Sequence, residues 1–154
     1  LHPENDNIKA VLALLIESFA YMERRIDPPS SLNAFTLETI RDHCKSEEVW
    51  ICASPPLACM FLTRNENYLY LGKLAVSQPH RKKRLARCLI KHAETHAEAQ
   101  GYKELKLQAR VELTENKRFF ERLGFVKTAE TRHDGYTRTT SITMVKTIRN
   151  NGKP

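Results

Sequence analysis

Glycine is scarce in this chain, with five in 154 residues, and none of them lies in its most basic segment, Arg81-Lys82-Lys83-Arg84. A glycine-built phosphate loop of the usual kind is therefore absent there. The four cysteines, Cys44, Cys52, Cys59 and Cys88, form no C-x-x-C pair, which removes the common zinc and dithiol signatures. They read as reduced thiols packed in a core, the pattern of a cytoplasmic protein. The longest apolar run, Val11 to Ile16, is far short of the ~20 residues that cross a membrane, and no signal peptide is read at the start. Repeats, low-complexity stretches, and helix-turn-helix or RNA-binding signatures are also missing.

What is present is ordinary globular composition, 41% hydrophobic and 28% charged, which excludes a disordered chain. The length suits one domain over residues 1–150, with 151–154 as a frayed tail. The formal charge of +7 calls for an anionic partner, but it does not choose between nucleic acid, acidic protein and a phosphate-bearing cofactor.

Periodicity orders the elements. Asn5 or Asp6 can cap a helix carrying Ile8, Val11, Leu12, Leu15 and Phe19. The prolines of "RIDPPSS" end it, and Thr36 can cap a second helix to Cys44. Three apolar segments follow, Val49–Ala53, Leu57–Thr63 and Tyr68–Val76, linked by short turns and so antiparallel neighbours. Helical spacing returns from Leu85, with Cys88, Leu89, Ile90, Ala93 and Ala97 as its buried stripe and Gly101 as a left-handed stop. Leu105, Leu107 and Ala109 alternate on a strand over Lys103–Ala109. A helix over Thr114–Leu123 and two strands around a turn at Asp134-Gly135 complete the chain. Strand, helix and strand over residues 68 to 109 imply one parallel pair in a mostly antiparallel sheet.

The basic run sits where the strand ending near Val76 feeds a helix beginning near Arg84. A helix start offers unpaired N–H groups and the positive end of the macrodipole. Cations crowded there suit a pyrophosphate better than a duplex backbone. A solvated basic face is the plain alternative. Nucleic acid is disfavoured, because no aromatics interleave with the cations.

"LAVSQPHRKKRLARCLI" followed by "ENKRFFERLGF" resembles the GNAT superfamily of acetyl-CoA-dependent N-acetyltransferases. Leu74, Val76, Arg81, Leu85 and Ala86 carry the first block, and Glu121, Leu123, Gly124 and Phe125 the second. The closing "HDGYTRTTSITMVK" looks like the last strands of bacterial members. The resemblance implies an α/β (α+β) fold: a mixed, mostly antiparallel central sheet with helices on both faces and one splayed parallel strand pair. It further implies that pantetheine lies in the splay on main-chain groups of Leu74, Ala75 and Val76. The pyrophosphate would rest on N–H groups of Arg81, Lys82, Lys83, Arg84, Leu85 and Ala86. Asn116, Phe119 and Phe120 would border the pantetheine and thiol end. Acetyl-CoA would be the co-substrate, an amine the acceptor, and no metal or membrane is involved.

Three departures stand out. Arg84 and Lys82 replace glycines of the family pattern. Phe120 stands where many members carry a tyrosine that protonates the leaving thiolate, and phenylalanine has no proton to give. The family's opening strand is expected to be absent or very short. Asp27, Glu66, His80, His133 and Tyr136 are all open as the base, and Tyr136 also as a proton donor in place of Phe120. His92 and His96 share a helix face, but the pattern is not H-E-x-x-H and reads as helix surface. Two functions follow: an N-acetyltransferase acting on a small-molecule or peptide amine, or a non-catalytic GNAT-shaped module that binds acyl-CoA or contacts nucleic acid. Oligomeric state, including a homodimer, is left open.

Overall fold

A computed structural model describes residues 7–20, 25–27, 36–52, 56–77, 79 and 84–148. In chain order these form α1 (Asn7–Ala20), α2 (Leu37–Ser46), β1 (Glu48–Cys52), β2 (Ala58–Arg64), β3 (Tyr68–Val76), α3 (Leu85–Ala99), β4 (Glu104–Arg110), α4 (Thr114–Arg122), β5 (Val126–Thr131) and β6 (Ser141–Thr147). The order is the one expected from periodicity. Thr36 does cap α2: its side chain accepts from the Thr39 N–H, and Thr39 reaches back to the Thr36 N–H, which satisfies two otherwise orphaned donors. Gly101 follows α3 at φ 81°, a left-handed stop that costs a residue without Cβ nothing. The caps expected at Asn5 or Asp6, and the question of an opening strand, fall on residues outside those described.

The sheet runs β1-β2-β3-β4-β6-β5. All neighbours are antiparallel except β3 and β4, and that parallel pair is bridged by α3, as a crossover requires. One face buries Met60, Leu62, Leu69, Leu71, Leu105 and Leu107 beneath Leu89, Ile90, Ala93 and Ala97 of α3 and Phe120 of α4. The other face buries Val49, Cys59, Phe61 and Ala75 beneath α1 and α2. Each such large apolar side chain contributes roughly 1.5–3 kcal/mol on leaving water.

The alternation in β3 changes phase partway. Leu69 and Leu71 face α3, and after the break it is Leu74 and Val76 that pack on that side while Ala75 turns to α1 and α2. The register to β2 jumps from Phe61↔Gly72 to Cys59↔Ala75, so β3 spends one residue more than its partner. That extra residue produces a bulge, and Lys73 takes φ 50° to make it.

The reading of all four cysteines as core thiols is corrected. Cys59 is buried, Cys44 and Cys52 are half-buried, and Cys88 is exposed. The buried row of α3 is Leu89, Ala93 and Ala97, with Ile90 beside it. Cys88 precedes Leu89 by one residue, about 100° around the helix, and so leaves the stripe it was assigned to.

Candidate functional site

The parallel pair is short. Tyr68↔Glu104, Leu69↔Leu105 and Tyr70↔Lys106 are in register, and no pairing between the two strands follows. Each strand stays paired on its far side, β3 with β2 as far as Val76↔Ala58 and β4 with β6 as far as Arg110↔Ser141. The divergence is therefore a gap within an otherwise continuous sheet. Leu74, Ala75 and Val76 form the β3 side of that gap beyond the bulge. α1 fastens the end of β3, with the Ser18 hydroxyl donating to the Val76 carbonyl at 3.1 Å.

α3 begins just past the open end of this gap. Its N-cap residue is Arg84, exposed and left-handed (φ 63°, ψ 18°), with no side-chain cap bond and no acidic residue in the first turn. The first helical bond runs from the Cys88 N–H to the Arg84 carbonyl at 3.0 Å. The N–H groups of Leu85, Ala86 and Arg87 precede the first possible i→i−4 partner. The local field thus favours an anion, and no carboxylate in the first turn opposes it. Arg84 holds the left-handed backbone that glycine adopts freely, at a cost of about 1–2 kcal/mol for a residue with Cβ. Arg81, Lys82 and Lys83 lie outside the described residues, as does His80.

Asn116 lies in the first turn of α4, half-buried, with its N–H on the Leu113 carbonyl at 3.1 Å. Phe120 is a core residue, packed against Phe119 (ring centroids 5.4 Å) and Phe125 (5.8 Å). Its ring is held by the core, and Phe119 is the more accessible of the two.

The polar candidates separate by position. Glu66 sits in the turn entering β3, at the end where β3 and β4 are still paired, with the whole strand of about 26 Å between it and the open end of the gap. Asp27 and Tyr136 meet: the phenol donates to Asp27 Oδ1 at 2.6 Å. Arg138 donates to the Asp27 carbonyl at 2.8 Å, and the Asp27 N–H donates to Glu112 Oε2 at 3.0 Å. Arg25 pairs with Glu115, and Ile26 is buried against Leu113. The connection after α1 is thereby clasped to the β4–α4 loop and to the β5–β6 turn, all at the end where β3 and β4 part. The hydrogen bond to Asp27, then partial burial and the carboxylate's charge, hold the Tyr136 phenol above its ordinary value. It stays protonated at neutral pH. His133 is tied to Thr140 through both its N–H and its Nδ1, at 2.9 and 2.5 Å, and its ring meets Tyr136 edge-on.

Sequence reasoning missed Glu112 and Arg138, because each matters through partners far along the chain. It also missed the bulge, although "YLYLGKLAV" carries a signal: leucine recurs at 69 and 71 and then shifts phase to 74. His92 and His96 lie on the α3 surface toward β1, with His96 Nε2 at 2.8 Å from Glu48. No helix among the described residues is long and apolar enough to cross a membrane.

Comparison with known proteins agrees with this geometry. No curated protein matches the sequence. Among solved structures, the PaiA N-acetyltransferase of Thermoplasma acidophilum in complex with coenzyme A superposes with a TM-score of 0.77 at 16% identity, covering 96% of this chain and 95% of that one. The ribosomal-protein-S18-alanine N-acetyltransferase of Escherichia coli gives a TM-score of 0.70 at 19% identity, covering 94% and 90%. A GNAT family acetyltransferase of Elizabethkingia anophelis with acetyl-CoA bound gives 0.59 at 16%, covering 73% and 83%. At these identities the likeness is one of fold. The sequence profile of the Acetyltransferase (GNAT) family matches residues 17–125, a span that takes in the parted strands, the uncapped helix and the "LGF" end of α4, and the chain belongs to that family.

Proposed function

We propose that this protein is an N-acetyltransferase that moves the acetyl group of acetyl-CoA to a primary amine of a small molecule or peptide by direct attack. The observation that carries the proposal is the coincidence of two parallel strands parting beyond Tyr70 and Lys106 with a helix start that lacks both cap and carboxylate. In this reading the pantetheine arm lies in the gap on main-chain groups of Leu74, Ala75 and Val76. The pyrophosphate takes the N–H groups from Arg81 to Ala86, with the cationic side chains around it. Asn116 and Phe119 border the thiol end, with Phe120 behind them.

The neutral amine attacks the thioester carbon, an N–H of the Leu74–Val76 strand holds the developing oxyanion, and the carbon–sulfur bond breaks. The amine proton leaves to a base or to water. Coenzyme A departs as a thiolate, a group basic only near pH 8.5, so a donor helps but is not indispensable. Tyr136, kept protonated by Asp27, is the donor that Phe120 cannot be.

Calorimetry with acetyl-CoA, followed by thiol release across a panel of amines, tests the proposal. Binding with amine-dependent release supports it. No binding at sub-millimolar concentration sinks it, and binding without release favours a sensing module. Arg84→Glu is expected to weaken coenzyme A more than dephosphorylated pantetheine. Tyr136→Phe should lose the basic limb of the pH–rate profile, and an unchanged limb removes Tyr136 from the mechanism.

A further inference from the structure

The seam between β1 and α3 is a ladder of facing side chains. Glu48, Trp50 and Cys52 alternate on the β1 face that packs toward α3, and His96, His92 and Cys88 recur every fourth residue along the helix. Two rungs are closed. His96 Nε2 lies 2.8 Å from Glu48 Oε2, and the Trp50 and His92 rings meet edge to face with centroids 4.2 Å apart. Two strand residues advance about 6.6 Å and four helical residues about 6.0 Å, so the ladder slips by only about 1 Å over two steps. The third rung is Cys52 opposite Cys88.

We propose that Cys52 and Cys88 form a reversible disulfide that staples β1 to the first turn of α3. Both thiols are free in this structure, Cys88 exposed and Cys52 half-buried. Each stands at the end of its element, Cys52 closing β1 and Cys88 in the first turn of α3, where backbone adjusts to disulfide geometry most readily. The two already sense one another: burial first, and then the nearby Cys88 thiol, raise the pKa of Cys52. Cys59 is enclosed beneath α1 and Cys44 lies on α2, across the sheet.

The oxidant is a low-molecular-weight disulfide such as oxidised glutathione. The exposed Cys88 thiolate attacks one of its sulfurs, the glutathione S–S bond breaks, and one glutathione thiolate leaves. The Cys52 thiolate then attacks the Cys88 sulfur of the mixed disulfide and expels the second. The two protons given up by the cysteines end on the two glutathiones, so the protein dithiol is oxidised and the glutathione disulfide reduced. A reduced dithiol reverses both steps. None of this depends on the cofactor reading above.

The test equilibrates the whole protein in glutathione buffers of stepped redox ratio, blocks remaining thiols by alkylation, and maps peptides by mass spectrometry. A Cys52–Cys88 linked peptide in monomeric protein is expected. It should be absent from Cys52→Ser and Cys88→Ser and accompany a Tm rise of roughly 5 °C or more in the wild type, since the bond closes a long loop in the unfolded chain. Glutathione retained on Cys88 with no link to Cys52 overturns the proposal. So does a Cys88–Cys88 dimer, a link to Cys44 or Cys59, or a linked species with no gain in Tm.

Discussion

The bulge in β3 and the start of α3 are both built on a cation in left-handed backbone, Lys73 at φ 50° and Arg84 at φ 63°. They are the two non-glycine residues with positive φ among those described, and they flank the same gap. Their surroundings differ. Lys73 is half-buried, and loss of solvent pushes its amine below the ordinary lysine value. Arg84 is exposed, and its side chain is free to turn toward solvent or an anion. At Lys73 the conformation sets the facing of the three residues that follow. At Arg84 it aims a row of N–H groups. Strain of this kind, about 1–3 kcal/mol for each residue, collects where a structure positions chemistry.

Inserting an alanine after Lys73 breaks the comparison most severely. Removing Lys73 would restore plain alternation with the same facings, whereas one residue more turns Leu74 and Val76 to the α1 face and Ala75 to the α3 face. A loss of roughly 3 kcal/mol or more is expected, along with loss of acetyl-CoA binding, read by thermal unfolding and calorimetry. Retained stability would show that the bulge does not fix the facing of these three residues. A subtler separation comes from Arg84→Gly and Arg84→Ala. Both remove the cation and should weaken coenzyme A about threefold. Glycine alone relieves the backbone and should stabilise the protein by about 1 kcal/mol relative to alanine. Equal stability of the two variants would mean that the left-handed conformation carries no strain.

The smallest effect sharpens the difference in burial. Because the folded state disfavours the charged form of Lys73, its cost is complete at neutral pH and fades as pH rises toward the ordinary lysine value of about 10.4. Lys73→Met should therefore raise Tm by ~2 °C near pH 7 and by less above pH 10. A gain independent of pH would trace to packing instead of charge.

Elements that depend on neighbours in sequence were legible before the structure. Thr36, Gly101 and the alternation of Leu105, Leu107 and Ala109 each act within a few residues, and each reading holds. The parting of β3 and β4 was legible only through family resemblance, because a lost pairing leaves no mark in either strand. Cys88 was misplaced by a single helical step, the margin within which an apolar stripe and its flank cannot be told apart by periodicity alone. The clasp of Asp27, Tyr136, Glu112 and Arg138 joins segments as much as 111 residues apart, and no local pattern announces it. Asp27 and Tyr136 were legible as polar loop residues, whereas their contact was not.

The far margin of the sheet has a bearing on how the protein behaves in company. β5 is exposed along its whole length, and an open strand edge is a template on which another chain can add. Here that edge is irregular. The register shifts between Lys127 and Ala129, and Lys127 is paired across the surface with Glu130 at 2.6 Å. A strand arriving from another molecule would meet a broken row of donors and acceptors and would have to strip water from two charges. Runaway addition of strands from copy to copy, the first step toward aggregation, is obstructed at this margin by one displaced residue and one ion pair.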